Sequence, residues 1–244
     1  MDLKEFAAMV VKRFDIHNIN PLADHFSSTD ETYLQAFRKA VEDAGSHIVD
    51  LGLGGKNFYT SDSATRRAAI EYGRKWIDIA AVIGSPSVRQ HLSLPHNAKP
   101  DVNLAAESLG QLAEYGAKRN IIVNLENDSA VSEDPFVIVD VVRKVNSPYL
   151  RALPDFGNSR ATYDPAKNQE AVALMFKYAG NMCHVKDSVH SDAGKTLNVD
   201  LGSMFAIAKK SGYKGYFSME YDVESNDAFQ GTERLIQQSL KYLA

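Results

Sequence analysis

The sequence predicts an α/β fold of the (β/α)8 TIM-barrel type, with helices surrounding a ring of parallel strands. Three observations predict it. Short β-rich runs alternate with longer amphipathic runs, and successive strands lie about 30 to 40 residues apart, the length of a βαβ unit. No linker or composition shift interrupts the series, so residues 1–244 are predicted to form a single domain. The glycine fingerprint of a dinucleotide-binding sheet is absent, which disfavours an open doubly wound sheet.

Seven strands are visible in the sequence. They are HNINPL from residue 17, HIVDLGL from 47, PSVRQHL from 86, IIVNLE from 121, YLRALPDF from 149, MCHVKDS from 182 and GYFSMEYD from 215. A standard barrel has eight strands and begins with one. This chain begins instead with an amphipathic run over residues 2–14 that predicts a helix. We therefore expect the first strand to be missing or distorted and the barrel to be open beside HNINPL.

Between the strands, apolar residues at helical spacing predict further helices. These cover about residues 32–45, 63–84, 103–119, 132–145, 164–180 and 228–243. Asp101, Ser132 and Asp164 are predicted to cap helix N-termini, and Gly45 and Gly84 to end helices. The last helix is predicted to bury four apolar side chains, those of Leu235, Ile236, Leu240 and Leu243.

Composition limits the partners of this chain. It has 27 Lys and Arg against 31 Asp and Glu, a formal charge of −4, whereas nucleic acid and anionic membranes require clustered basic residues. The single cysteine, Cys183, excludes an intramolecular disulfide and a cysteine-based zinc site. No apolar stretch is long enough to span a bilayer. Residues 1–14 lack the apolar core and cleavage site of a signal peptide, which predicts a cytoplasmic protein unless a leader has been removed.

Four potential metal ligands occupy equivalent places near the ends of successive strands. They are Glu126, Asp155, His184 and Glu220, which follow one another at intervals of 29, 29 and 36 residues. In a barrel this regularity brings all four side chains to the C-terminal rim, where active sites of this fold lie. Three carboxylates and an imidazole cannot all be buried as ions, and a divalent cation removes the conflict. Oxygen ligands with one nitrogen favour Mn²⁺ or Mg²⁺, with Co²⁺ or Zn²⁺ as alternatives.

The segments that carry these residues resemble a known family. IIVNLEND, LPDFGN, HVKDS and YFSMEYD, in this order and spacing, are similar to the sugar phosphate isomerase/epimerase family with the xylose isomerase-like barrel. The resemblance covers nearly the whole chain, including the closing pattern DAFQGTERLIQQSLKYL. It implies a divalent metal ion held by the four residues above. It also implies isomerisation or epimerisation of a sugar, or of a polyol relative, by proton transfer next to a carbonyl.

That reaction gives the residues their predicted roles. Removing a proton beside a carbonyl creates an enediolate, whose oxygens a nearby cation stabilises. Glu126 and Glu220 are predicted to be the catalytic residues that remove and return the proton. Four other residues are predicted to contact the substrate, namely Lys186, Asn158, His91 and Arg89.

Each of these four substrate contacts has its own reason. Lys186 lies two residues after His184, on the same face of an alternating strand. Asn158 stands where some relatives of the family carry a histidine that contacts substrate. Arg89 and His91 share one face of PSVRQHL, so both line the pocket or neither does.

Alternative functions remain open at the level of sequence. A dehydratase or lyase of inositol-type substrates uses the same metal-assisted proton abstraction, and a catalytically inactive barrel could keep only the metal or sugar site. An endonuclease of the endonuclease IV type is disfavoured by only seven histidines and a charge of −4. The absence of a dense basic cluster favours a neutral sugar or polyol as the partner. The chain is expected to be a monomer or a homodimer.

Overall fold

The structure is a computed structural model that describes residues 2–191, 193–221 and 227–243. The helices are α1 (Leu3–Phe14), α2 (Glu31–Asp43), α3 (Ser63–Ile83), α4 (Val102–Ala117), α5 (Pro135–Val145), α6 (Pro165–Phe176), α7 (Leu201–Lys210) and α8 (Ala228–Leu243). The strands are β1 (Asn18–Ile19), β2 (His47–Ile48), β3 (Leu51–Lys56), β4 (Ser87–Leu92), β5 (Ile122–Glu126), β6 (Leu150–Leu153), β7 (Met182–Val185), β8 (Ser188–His190), β9 (Thr196–Asn198) and β10 (Tyr216–Met219). Two short 3-10 helices cover Ala23–His25 and Asn158–Ala161.

Most of the predicted helix ends are confirmed. Asp101 accepts hydrogen bonds from the backbone amides of Asn103 and Leu104 in the first turn of α4. Asp164, directly before the proline that begins α6, accepts one from Lys167 N. Gly45 and Gly84 have φ angles of 66° and 82°, in the left-handed region that lets a glycine end a helix.

The predicted cap of α5 is wrong. Asp134, and not Ser132, accepts hydrogen bonds from the amides of Phe136 and Val137. The reason is the position of Pro135: a proline fits the first position of a helix, so the residue directly before it takes the capping role.

The chain divides into two compact units. Unit 1 comprises Met1–Leu125 and Val141–Arg151, and unit 2 comprises Glu126–Asp140 and Ala152–Ala244. Strands β5 and β6 therefore begin in unit 1 and end in unit 2. The predicted single domain over residues 1–244 and the predicted opening beside HNINPL both concern how these units meet, and both stay predictions.

Unit 1 contains the N-terminal strands and helices α1 to α4. Strand β1 pairs in parallel with β2, and β3 pairs in parallel with β4, which pairs in parallel with β5. The start of β6 continues this sheet, because Val123 N donates to Tyr149 O at 2.9 Å. Apolar side chains of the helices cover the strands, with Phe37 and Ile77 fully buried. The amphipathic pattern of the sequence accounts for this burial.

Unit 2 contains the end of β6, strands β7 to β10 and helices α6 to α8. Strand β7 pairs in parallel with β10, and single parallel bridges join Ala152 to Ala179 and Asp155 to His184. Its core is built around Phe156, which makes edge-to-face contacts with Phe176, Phe205 and Phe217. The contact between Phe156 and Phe217 packs the segment after β6 against β10.

The predicted strand count is confirmed for the described residues. Strands β2 and β3 are two segments of one predicted run, so seven parallel strand positions are present, and residues 3–14 form a helix as expected. The last residue of the run GYFSMEYD, Asp222, lies outside the described residues.

Sequence reasoning overlooked three elements. The antiparallel hairpin of β8 and β9 and helix α7 fill the long interval between β7 and β10. The inserted hairpin lengthens that interval and hides the strand–helix rhythm.

Two predictions about α8 fail. Leu235 and Ile236 are buried, but Leu240 is 51% exposed and Leu243 is 46% exposed, because the buried face of α8 follows Gly231, Leu235 and Ser239 at intervals of four residues. Across the described ranges, no helix combines the length and apolarity needed to cross a membrane.

Candidate metal centre

All four predicted metal ligands lie in unit 2, each within two residues of the C-terminal end of a strand. Glu126 is the last residue of β5, and Asp155 lies two residues after β6. His184 lies in β7, and Glu220 follows β10 directly, held by a hydrogen bond from its backbone N to Val185 O at 3.0 Å. Parallel strands place such residues at a common edge, which is why regular spacing in the sequence becomes proximity in space.

The four side chains converge closely. One ligand atom from each of them lies within 4.8 Å of the others. His184 Nδ1 is 2.7 Å from Glu126 Oε1 and also 2.7 Å from Glu220 Oε2. One imidazole nitrogen carries at most one proton, so it cannot donate good hydrogen bonds to both carboxylates. Glu220 Oε2 and Glu126 Oε1 therefore compete for the single N–H that His184 Nδ1 can offer.

Asp155 has one oxygen occupied and one available. Its Oδ1 accepts from Gly157 N at 2.8 Å and from Asn158 N at 2.6 Å, in the turn that follows β6. Its Oδ2 is buried without a hydrogen-bond partner. A buried carboxylate oxygen without a partner costs free energy, and this cost is removed if the oxygen binds a cation.

The pKa values show the same conflict of charges. Burial raises the pKa of Asp155 to about 7. The positive charge of Lys186 opposes this rise, and the negative charges of Glu126 and Glu220 add to it. Burial alone would lower the pKa of His184, but the adjacent Glu126 and Glu220 outweigh burial and raise it to about 10. Burial would raise the pKa of Glu220, but the hydrogen bond and charge of His184 lower it to about 2.

These features fit a divalent cation. Opposite ligand atoms of a Mg²⁺ ion lie about 4 Å apart, since each is about 2.1 Å from the ion, and the observed spread is of that size. Asp155 Oδ2 is buried without a hydrogen-bond partner, and three carboxylate oxygens with one imidazole nitrogen form a set that Mg²⁺ or Mn²⁺ accepts. Glu126, Asp155, His184 and Glu220 could therefore hold such an ion.

Two of the predicted substrate-contacting residues lie beside the cluster. Lys186 is buried, and its Nζ donates to Asn158 Oδ1 at 2.7 Å and lies 3.2 Å from Glu220 Oε1. Asn158 Nδ2 in turn donates to Glu126 Oε1 at 3.4 Å.

The other two, Arg89 and His91, belong to unit 1, on strand β4. Arg89 is buried and His91 is half-buried. Their predicted contact with a substrate stays a prediction.

Sequence reasoning missed Asn127. Its Oδ1 accepts from Asp155 N at 2.7 Å, and its Nδ2 donates to Asp155 O at 3.2 Å and to Ser159 Oγ at 2.9 Å. Asn127 therefore fixes the backbone of a candidate ligand from the end of the neighbouring strand. Its burial is visible only in the structure, because an asparagine directly after a strand is typical of an ordinary turn in the sequence.

Comparison with known proteins identifies the fold. A family model, the xylose isomerase-like TIM barrel, matches residues 11–244. A search of curated proteins found no match. A D-psicose 3-epimerase crystallised in the presence of D-fructose matches with a TM-score of 0.78 at 14% identity, over 99% of this chain and 92% of that one.

Two further solved structures agree. D-psicose 3-epimerase from Clostridium cellulolyticum H10, with D-tagatose, has a TM-score of 0.77 at 13% identity, with coverage of 99% and 92%. A xylose isomerase-like TIM barrel protein from Mycobacterium smegmatis, in complex with magnesium, has a TM-score of 0.73 at 18% identity, with coverage of 99% and 89%. At these identities the likeness establishes the fold, which is the predicted α/β barrel.

Proposed function

The chain belongs to the xylose isomerase-like TIM-barrel family, and from this premise we propose that it is a divalent-metal-dependent sugar isomerase or epimerase. The observation that carries the proposal is the convergence of Glu126, Asp155, His184 and Glu220, whose ligand atoms lie within 4.8 Å of one another. Solved structures with the same fold include sugar epimerases, which supports this reaction class.

The proposed reaction moves a proton to and from a carbon next to a carbonyl. A divalent ion held by Glu126, Asp155, His184 and Glu220 would supply positive charge beside that carbonyl. Glu220 is half-exposed, with 39% of its side chain accessible, so its carboxylate can meet a substrate carbon and accept the proton at an Oε atom. Glu126 is buried and approaches the same His184 nitrogen from a different strand. The two carboxylates thereby serve as the pair that removes and returns the proton.

The other assignments complete the proposal. Mg²⁺ and Mn²⁺ are the favoured ions, with Co²⁺ and Zn²⁺ as alternatives, and the related protein from M. smegmatis holds magnesium. Lys186 and Asn158 contact the substrate from beside the cluster, and the substrate contacts of Arg89 and His91 stay predictions of the sequence. The substrate is a neutral sugar or polyol, and the protein is a cytoplasmic monomer or homodimer.

Deuterium exchange tests the proposal directly. The purified protein is analysed for metal, loaded with Mn²⁺ and incubated in D2O with a panel of ketoses and inositol derivatives. We expect deuterium at a carbon next to the carbonyl of one sugar and formation of its isomer or epimer. Loss of water from an inositol derivative would replace the proposal by a dehydratase. Bound metal without exchange into any compound would favour a binding protein without catalytic activity.

A further inference from the structure

Lys186 is a buried cation whose surroundings leave it little freedom. Its side chain is only 3% exposed, on the segment directly after β7. Removing an ammonium group from water costs several kcal/mol unless hydrogen bonds and an opposite charge compensate it. Both are present, because Nζ donates to Asn158 Oδ1 at 2.7 Å and lies 3.2 Å from Glu220 Oε1.

Asn158 continues this contact to the other carboxylate. An amide accepts at its oxygen and donates at its nitrogen, so one asparagine can join a cation to an anion. Asn158 accepts from Lys186, while its Nδ2 donates to Asn127 O at 3.1 Å and to Glu126 Oε1 at 3.4 Å. A continuous set of polar contacts therefore runs from Glu220 through Lys186 and Asn158 to Glu126.

We propose that Lys186 and Asn158 are positioning residues, which hold Glu220 and Glu126 in the orientation that binds a divalent ion. This inference rests on the proposed function. The side chain of Glu220 is 39% exposed, so without Lys186 its carboxylate can turn toward water. Residues that orient metal ligands affect affinity by about 10- to 100-fold when they are replaced.

A purely electrostatic effect of Lys186 would change the affinity for the ion in the opposite direction. Three carboxylates and one ammonium carry a total charge of −2 when the imidazole is neutral, which matches a divalent cation. If Lys186 acted only as a nearby positive charge, it would repel the ion, and its removal would tighten binding. If it positions Glu220, its removal weakens binding. Lys186→Met, which keeps the length of the side chain and removes its charge, separates these two effects.

The experiment measures Mn²⁺ binding to the metal-free full chain by calorimetry, at fixed pH. The matched control is Lys209→Met, which removes the same charge from an exposed position on α7. We expect Lys186→Met to weaken Mn²⁺ binding at least tenfold and Lys209→Met to leave it unchanged. Equal or tighter binding by Lys186→Met would overturn the inference and leave the proposed function standing. Absence of Mn²⁺ binding by the parent protein would instead overturn the metal dependence of the proposed function.

A second variant keeps the test decisive if Lys186→Met does not fold. Asn158→Ala removes both the oxygen and the nitrogen of the amide from a half-buried position, and we expect it to weaken Mn²⁺ binding about tenfold, with circular dichroism confirming that the metal-free variant is folded. An unchanged affinity of Asn158→Ala would contradict the proposal. Where both single variants fold, the double variant is compared with them. Its fold-loss of Mn²⁺ affinity should be smaller than the product of the two single fold-losses, because the residues act through one set of contacts. Independent, multiplicative losses would show that Lys186 and Asn158 do not act together.

Discussion

At the scale of single residues, His184 stands between two carboxylates, with its Nδ1 2.7 Å from an oxygen of Glu126 and 2.7 Å from one of Glu220. Asp155, with a pKa raised by burial to about 7, adds a third acid whose Oδ2 has no partner. A buried group of this kind is unfavourable by itself and becomes favourable when a cation enters. Individual substitutions should therefore change ion binding far more than they change the fold.

Glu126→Gln and Glu220→Gln should each weaken Mn²⁺ binding more than about tenfold and reduce substrate proton exchange by at least about 10²-fold. A neutral amide is a poorer ligand than a carboxylate and cannot act as a base. Calorimetry and exchange measured by NMR check the two effects. The control is Glu233→Gln, at an exposed position on α8, which should match the parent protein. A variant of Glu126 or Glu220 that exchanges protons at the parental rate would refute the assigned catalytic role.

The affinity for Mn²⁺ should rise with pH by at least about tenfold per pH unit between pH 6 and pH 8. A ligand must lose its proton before it binds the ion. The pKa of His184 is about 10, so this residue releases a proton throughout that range, and Asp155, with a pKa of about 7, releases a second in its lower half. Calorimetry in buffers of different ionisation enthalpy would count the released protons. A flat affinity would remove His184 from the ligand set.

At the scale of elements, the turn after β6, the end of β7 and the hairpin of β8 and β9 meet at Gly157. A Cβ atom placed on Gly157 would lie 2.9 Å from Val189 Cγ1, 3.0 Å from Lys186 Cβ and 3.3 Å from Val199 Cγ2. The φ angle of Gly157 is −114°, which any residue can adopt, so only space requires glycine. This close approach holds Asp155, whose Oδ1 accepts from Gly157 N, against the strand that carries His184.

Gly157→Ala should lower the free energy of unfolding by about 1–3 kcal/mol, because the added methyl group forces Val189 or Lys186 to move. It should also weaken Mn²⁺ binding through displacement of Asp155. Gly110→Ala, in α4, is a suitable control. A Cβ atom on Gly110 would meet only Val145 Cγ1, at 3.9 Å. That substitution should leave stability unchanged or raise it by up to about 1 kcal/mol. Urea unfolding compares the two, and equal stabilities would refute the packing argument.

At the scale of the whole molecule, the predicted ligands all belong to unit 2, and ion binding should stabilise that unit by mass action. A ligand that binds only the folded state at 100 times its Kd adds about 2.7 kcal/mol, or about 5 °C or more in melting temperature for a chain of this length. Calorimetric scans with and without Mn²⁺ should show this increase in the parent protein. Glu220→Gln should show a much smaller one at the same Mn²⁺ concentration.

The metal-free protein should lose stability as pH rises from 7 to 10. The pKa of His184 is about 10 in the folded protein and about 6.5 in an unfolded chain, so its contribution is fully present below pH 6.5. As pH rises through 10, the imidazole loses its proton and leaves Glu126 and Glu220 beside a neutral ring. Melting temperatures measured in EDTA should fall over this range by about 3 °C or more. A constant melting temperature would show that the imidazole is not held between the two carboxylates.

The sequence by itself determined the alternation of strands and helices, the helix that precedes the first strand, and the four candidate ligands at intervals of 29, 29 and 36 residues. Each of these depends on periodicity along the chain, which a local pattern of apolar and polar residues records. It did not reveal α7 or the hairpin of β8 and β9, since an insertion breaks that periodicity. Nor did it separate Asp134 from Ser132 as the cap of α5, because both are good caps near a proline.

Only the tertiary structure decided which side chains touch. Lys186 and Asn158 were predicted from position alone as substrate contacts, and the fold adds their contacts with Glu220 and Glu126. Asn127 gained its importance from hydrogen bonds to Asp155, 28 residues away in sequence. Leu240 and Leu243 have the pattern of buried residues and remain exposed, because burial depends on what lies opposite a helix. Contacts between distant segments depend on distance and direction in space, and a one-dimensional pattern contains neither.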